Sequence, residues 1–150
     1  MGADRLLKAR PEQAPARNWA ETDPWSDDPR LLGRTYAIPF DVVWRACLEL
    51  VTNRNRWVLL HSNDLLGVIG VRCTTWILRF KDEVEIRVGL DENGLTRLDL
   101  RSRSLKGRHD FGTNTRRIGR FLLRLDKHLG AGQGTIIDPK DAVELASGGG

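Results

Sequence analysis

The sequence predicts an α+β domain: an antiparallel sheet of about five strands with an N-terminal helix and a long C-terminal helix packed on one face. Three observations predict this class. Apolar residues recur at helical spacing after Pro39, apolar and charged residues alternate along two segments in the middle of the chain, and a second amphipathic stretch ends at Gly130. The predicted order is a short strand, a helix, several antiparallel strands and a long helix.

The length and composition of the chain limit the number of domains that it can form. A chain of 150 residues, 40% hydrophobic and 29% charged, is long enough for one globular domain with its own core. The segments at both ends are rich in Pro, Gly, Ala and charge, and they lack a sustained period. We therefore expect a single domain over residues 31–129, a flexible N-terminal tail over 1–30 and a flexible C-terminal tail over 130–150.

The first helix and the strands after it are predicted from local patterns. Pro39 ends a short strand and suits the first turn of a helix because it lacks an N–H. The apolar stripe of this helix comprises Phe40, Trp44, Cys47, Leu48 and Val51. The segments 56–62, 65–73 and 75–80 are expected to belong to the run of strands that follows.

Two alternating segments define a hairpin and its register. Opposed residues must share a face of the sheet, which pairs Val88 with Leu98 and Ile86 with Leu100. The loop between the strands is then expected to place Gly94 in the left-handed conformation. The same register produces three outward-facing pairs of opposite charge: Glu83 with Arg103, Glu85 with Arg101, and Arg87 with Asp99.

The C-terminal helix is amphipathic and basic. Thr113 or Asn114 can cap its start, and Gly130 suits the position just past its end. Its apolar stripe comprises Ile118, Phe121, Leu122, Leu125 and Leu129. Its solvent-facing side is predicted to contain five cations: Arg116, Arg117, Arg120, Arg124 and Lys127.

Positive charge is concentrated around this helix. Between Arg101 and Lys127 there are nine Lys or Arg but two Asp or Glu, although the whole chain has a net charge of only +4. The default interpretation of this charge is a solvated helix face, and the alternative is a face that binds an acidic protein or an anionic membrane surface. The expected contact residues are Arg116, Arg120, Arg124 and Lys127. Nucleic acid is disfavoured, because no exposed aromatic residues interleave with the cations.

The segment between the last strand and this helix combines glycines with polar residues. Together with the strand that contains Asp82, it resembles the signature of a bacterial and plastid family, the domain of unknown function 1499 family. The matching residues are Arg101, Ser102, Ser104, Gly107, Asp110, Gly112, Asn114, Arg117 and Ile118. The sequence departs from the signature at Leu105, where the family usually has Arg. The resemblance implies no established activity. The helix-then-sheet beginning also resembles the START and Bet v 1-type ligand-binding folds.

The same residues can meet at a corner between the sheet and the last helix. Asp82 opposes Ser104 in the predicted register, and a buried carboxylate must be paired or hydrogen-bonded. The corner can be structural and fix how the helix docks, with Asp110 buried and Gly107 or Gly112 in a conformation that favours glycine. It can also be a polar pocket for a small ligand or ion. The expected ligand-binding residues are Asp82, Arg101, Ser102, Ser104, Gly107, Asp110, Gly112, Asn114 and Arg117.

These patterns favour a non-catalytic accessory or interaction module that binds a small or anionic ligand or an acidic partner surface. The alternative is a hydrolase-type enzyme that uses Ser102 or Ser104 with Asp110. No segment resembles a nucleophile elbow, and the histidines lack metal-ligand spacing. We therefore predict no catalytic residue, metal or cofactor.

The expected location is the cytoplasm, with peripheral membrane attachment as an alternative. The N-terminus lacks the long apolar run of a secretory signal, and no apolar run is long enough to span a bilayer. Cys47 and Cys73 lie among apolar residues, which predicts two buried, reduced thiols.

Overall fold

The computed structural model describes residues 18–105 and 112–142. The predicted α+β class is confirmed: a mostly antiparallel sheet is combined with two long helices. The elements in chain order are β1 (Trp19–Glu21), a 3-10 helix (Pro29–Leu31), β2 (Arg34–Tyr36), α1 (Phe40–Thr52), β3 (Trp57–Asn63), β4 (Val68–Thr74), β5 (Lys81–Leu90), β6 (Thr96–Ser104), α2 (Thr113–Leu129) and β7 (Ile136–Ile137).

One sheet contains all the strands of the described residues. Its order is β3-β4-β5-β6-β2-β7, with β1 also paired to β6, and all of these neighbouring strands are antiparallel. The long strand β6 pairs with β5 along one edge and with two short strands along the other edge. Its first half, Thr96–Leu98, pairs with β2, and its second half, Arg101–Arg103, pairs with β1. The sheet therefore has seven strands where about five were expected.

Both extra strands come from segments that were predicted to be tails. β1 lies within residues 1–30 and β7 lies within residues 130–150, so each of these segments contributes a strand to the sheet. These strands have three and two residues, respectively, and are too short to show a period of two. They join the sheet because β6 and β2 offer them backbone partners.

The predicted hairpin register is confirmed. Val88 opposes Leu98 and Ile86 opposes Leu100, and Gly94 has a φ of 76° in the loop. Of the three predicted cross-strand charge pairs, only one forms an ion pair within the described residues. Arg103 contacts Glu83 across the strands at 3.4 Å, whereas Arg87 pairs with Glu85 and Arg97 pairs with Asp99 along their own strands. An extended side chain can reach the residue two positions along as easily as the residue across.

The two helices pack on one face of the sheet, the face formed by the buried apolar residues that alternate along the strands. The core joins apolar residues of β4, β5 and β6 to both helices, and the rings of Trp57 and Phe121 stack at 5.8 Å. In α1 the buried residues are Val43, Ala46, Cys47 and Val51. Phe40, Trp44 and Leu48 of the predicted stripe are partly buried. The stripe is therefore rotated slightly from its predicted position.

The segment 75–80 is an exposed turn and does not extend a strand. Thr75 N donates a hydrogen bond to Phe80 O at 2.8 Å, and Phe80 N donates one to Thr75 Oγ1 at the same distance. The chain therefore reverses over six residues, and its apolar tip points away from the core. Trp76, Ile77 and Leu78 are 71%, 78% and 68% exposed. We call Trp76–Leu78 the apolar turn.

The start of α2 also differs from the prediction. Neither Thr113 nor Asn114 caps the helix: the cap position is Gly112, which has a φ of 79° and brings the chain into the helix through the left-handed conformation. The prediction that Gly107 or Gly112 adopts such a conformation is confirmed by Gly112. Gly130 follows the helix end in the same conformation, as predicted. Within the described ranges, no helix has the length and apolar character needed to cross a bilayer.

Candidate functional site

A cluster of buried polar side chains lies where β5 and β6 meet the first turns of α2. Asp82 opposes Ser104 in the sheet, and Ser102 lies two residues earlier on the same face of β6. Asn114 and Arg117 are one helical turn apart, so both point from α2 toward that face. We call these five residues the corner cluster.

Arg117 donates hydrogen bonds to three other members of the corner cluster. Its Nη2 donates to Asp82 Oδ2 at 2.7 Å, and its Nη1 donates to Ser102 Oγ at 3.0 Å and to Asn114 Oδ1 at 2.8 Å. The Asp82 side chain is fully buried and that of Arg117 is 11% exposed. A charged pair at this depth is stable only when both members are hydrogen-bonded, and the cluster satisfies that requirement for Arg117.

Asn114 connects the cluster to the N-terminal strand. Its Oδ1 accepts from Ser102 Oγ at 2.7 Å, and its Nδ2 donates to Ser104 Oγ at 3.0 Å. The same Nδ2 donates to the backbone oxygen of Asn18 at 3.1 Å, just before β1. One amide thus joins β6, α2 and the segment that enters the sheet. This geometry fixes the position of α2 on the sheet.

A groove with many cations lies beside the cluster. It has a volume of about 840 Å³ and is formed by the α1–β3 connection, the end of β4, the apolar turn and the exposed side of α2. Six arginines line it: Arg54, Arg56, Arg116, Arg117, Arg120 and Arg124. Its described lining contains no Asp or Glu. We call this feature the arginine groove.

Arg54 occupies an unusual position in the arginine groove. Its guanidinium lies 4.0 Å from the ring centroid of Trp57, and its buried Nη1 has no hydrogen-bond partner among the described residues. Burial lowers the pKa of Arg54, and the nearby charges of Arg124, Arg117 and Arg56 lower it further, although Cys73 acts in the opposite direction. Positive charges therefore crowd together in the groove, and the described part of its lining supplies no carboxylate.

Comparison with known proteins places the chain in a family. The family model described as "Protein of unknown function (DUF1499)" matches residues 7–125. The chain belongs to the DUF1499 family. The predicted family is thus confirmed. No curated protein matches the chain. A solved structure, the Zhui aromatase/cyclase from Streptomyces sp. R1128, is similar at 14% identity over 75% of this chain and 91% of that chain, with a TM-score of 0.28.

The predicted site residues of this DUF1499 protein fall into three groups. The structure brings Asp82, Ser102, Ser104, Asn114 and Arg117 together in the corner cluster, and it places Gly112 at the start of α2 beside them. Arg101 lies on the opposite face of β6, where its guanidinium is 5.4 Å from the ring centroid of Trp19. Its alternation with Ser102 along the strand excludes it from the cluster. Gly107 and Asp110 lie outside the described residues.

The predicted anionic-partner face is only partly continuous with the arginine groove. Arg116, Arg120 and Arg124 follow one another at a spacing of four on α2 and line the groove, whereas Lys127 is exposed one turn further and is not in the lining. Arg117 was predicted to face water, but it points into the corner cluster. Sequence reasoning missed Arg54 and Arg56. The two arginines of the segment "NRNRW", at the start of β3, could have indicated a cationic site.

Both cysteines are free and buried, as predicted. Burial raises the pKa of the Cys47 thiol to about 12. Burial also raises the pKa of the Cys73 thiol to about 12, against the opposing effect of Arg117 and Arg54. Because the reactive species is the thiolate, neither side chain is suited to nucleophilic chemistry near neutral pH.

We expect the native thiols to react with Ellman's reagent at pH 8 at least about a hundredfold more slowly than the thiols of the urea-unfolded protein. The raised pKa values predict a second effect. The stability that the buried thiols contribute is fully present below pH 9, the ordinary pKa of a free thiol, and is lost as the pH rises toward 12. Urea titrations at several pH values between 8 and 11 check this. Equal thiol reactivity in the native and unfolded states would contradict the burial of Cys47 and Cys73.

Proposed function

We propose that this DUF1499 protein is a non-catalytic binding module that holds an anionic group in the arginine groove. The observation that carries the proposal is the composition of the groove lining, in which six arginines occur without a described carboxylate. Arrangements of this kind raise the local concentration of anions and strengthen their binding. An acidic ligand or an acidic partner surface would supply the missing negative charge.

Four groove arginines form no ion pair within the described residues: Arg54, Arg56, Arg120 and Arg124. Arg45, Arg72, Arg79 and Arg101 elsewhere form none either, so the proximity of the unpaired cations in one groove is what supports this assignment. Close positive charges repel one another, so their unpaired accumulation costs stability. Binding an anion would relieve this repulsion.

The chemistry of arginine indicates the class of anion. The planar guanidinium donates two parallel hydrogen bonds to phosphate, sulfate or carboxylate oxygens, and it stays charged under all ordinary conditions. The groove volume of about 840 Å³ lies within the range of small-molecule sites. The charge of Arg117 adds to the positive potential in the groove, but its guanidinium donates hydrogen bonds to residues of the corner cluster. The direct contacts are therefore assigned to Arg54, Arg120 and Arg124.

The hydrolase alternative receives less support from the corner cluster. A serine nucleophile needs a base that accepts its proton. Ser102 Oγ donates to the amide oxygen of Asn114 and accepts from Arg117, and neither group is a base. Ser102 is fully buried and Ser104 nearly so, which keeps both hydroxyls away from a substrate. These contacts favour a structural role for the corner.

Inorganic pyrophosphate should raise the thermal midpoint of the parent protein as its concentration increases, because a ligand that binds only the folded state stabilises it. The variant Arg120→Gln/Arg124→Gln should lose most of this rise, since two of the three contact residues are removed. Differential scanning fluorimetry at constant ionic strength, with sodium chloride replacing pyrophosphate in the reference series, measures the effect.

A matched control separates local contacts from total charge. The variant Arg45→Gln/Arg87→Gln also loses two positive charges, but both residues are exposed and neither lines the groove. It should show the same rise as the parent protein. An identical rise in the Arg120/Arg124 variant and the parent, or a rise that chloride reproduces, would refute the binding assignment.

A further inference from the structure

We propose that the anionic partner of the arginine groove is a phospholipid bilayer, and that the apolar turn enters its headgroup region while the arginines contact lipid phosphates. This inference rests on the proposed function, because it assigns a source to the anion. It adds a second binding element, the apolar turn, which anion binding alone does not require.

The exposure of the apolar turn is the first observation. Trp76, Ile77 and Leu78 are consecutive and are each more than two-thirds exposed. Single apolar residues on a surface are ordinary, but three neighbouring large side chains at the tip of a turn form a patch that usually marks an interaction site. Tryptophan is also enriched at the boundary between headgroups and acyl chains, since its ring combines an apolar body with a polar N–H.

The position of the apolar turn is the second observation. Trp76, Ile77 and Leu78 line the same groove as Arg54, Arg120 and Arg124, so both sets of side chains are presented on one side of the molecule. A bilayer offers the same two chemistries in adjacent layers: phosphates at the surface and apolar chains a few ångströms below. The cations flanking the turn, Arg79 and Lys81, extend the positive charge to its base.

The shape of the turn favours a bilayer over a protein partner. The tip is a short reversal held by the two hydrogen bonds between Thr75 and Phe80, and it projects from the end of the β4–β5 hairpin. A narrow apolar projection can enter a fluid layer without a preformed pocket. The charge composition of the groove suits the anionic lipids of a membrane surface, where each Arg or Lys contributes to attraction.

Co-flotation with vesicles tests the proposal. The parent protein should bind vesicles of phosphatidylcholine with 30% phosphatidylserine and should not bind phosphatidylcholine alone. The triple variant Trp76→Ser/Ile77→Ser/Leu78→Ser should bind the anionic vesicles at least about tenfold more weakly. The Arg120→Gln/Arg124→Gln variant should bind them about 25-fold more weakly, from the loss of two charges near an anionic surface.

A second apolar turn in the same chain provides the matched control. Leu65 and Leu66 are 94% and 75% exposed between β3 and β4, and neither lines the arginine groove. Leu65→Ser/Leu66→Ser should bind anionic vesicles as the parent does. Thermal midpoints of all variants verify that these exposed substitutions leave the fold intact.

Several results would overturn the proposal, and they are distinguishable from a failure of the proposed function. If the parent responds to pyrophosphate but ignores anionic vesicles, the groove binds an anion that is not a lipid. If it responds to neither, the proposed function also fails. Equal vesicle binding by the parent and the Trp76/Ile77/Leu78 variant would exclude insertion of the apolar turn. If that variant and the Leu65/Leu66 variant lose the same amount of vesicle binding, the binding is nonspecific hydrophobic adsorption and the apolar turn has no particular role.

Discussion

Arg117→Met should lower the free energy of unfolding by about 3–5 kcal/mol, because it leaves the carboxylate of Asp82 buried without its cation. Asp82 is fully buried, and Arg117 donates to it at 2.7 Å. The same substitution removes a donor to Ser102 and to Asn114, so three elements of the corner lose a shared partner. Urea denaturation of the variant and the parent protein, followed by circular dichroism, measures the difference.

Two further variants test the reason for this loss. Arg120→Met removes a neighbouring cation from the exposed side of α2 and should change stability by less than about 0.5 kcal/mol. The double variant Asp82→Leu/Arg117→Met should be more stable than Arg117→Met alone, since no buried charge remains uncompensated. A loss below about 0.5 kcal/mol for Arg117→Met would contradict the structural importance of the corner cluster.

Gly67→Ala should destabilise the protein by about 2–4 kcal/mol, which combines a left-handed backbone conformation with an overpacked contact. Gly67 has a φ of +69°, and a Cβ at this position would lie 2.0 Å from the carbonyl oxygen of Val88. The backbone cannot withdraw freely, because Val88 N donates to Gly67 O at 2.8 Å. Chemical denaturation gives the magnitude.

Gly94→Ala is the control for the backbone part of this effect. Gly94 has a φ of +76°, but no atom lies within 4 Å of the position that its Cβ would occupy. It should therefore cost only about 1–2 kcal/mol. If the two alanine variants are equally stable, the contact with Val88 is not the cause of the larger loss.

The extent to which the sequence predicts this fold depends on the length of each pattern. The β5–β6 register follows from a long alternation, because apolar residues on opposed strands must share the buried face. The exposed turn was missed because Trp76 and Ile77 are of types enriched in strands. The hydrogen bonds of Thr75 that reverse the chain cannot be predicted from a hydrophobic pattern. Strand β1 was missed because three residues cannot display a period.

The site was predictable to the extent that strand register and helical spacing determine it. Asp82 and Ser104 are opposed in the predicted register, and Ser102 and Asn114, which were also expected at this corner, contact each other there. The helical pattern assigned Arg117 to the solvent-facing side, whereas the family signature placed it among the expected ligand-binding residues. In the structure its side chain turns into the corner cluster. The arginine groove could not be predicted, because Arg54 and Arg124 are seventy positions apart and meet only through tertiary packing.

The two-sided pairing of β6 has a consequence for the order in which the chain folds. Strands β3 to β6 are successive hairpins whose partners are close along the chain, so their closure costs little chain entropy. The contacts on the other side of β6 are distant: Leu100 N bonds Thr22 Oγ1 across 78 positions, and Arg97 bonds Thr35 across 62. Contacts between distant segments form slowly. The hairpins should therefore act as the template, and the N-terminal strands should be added last.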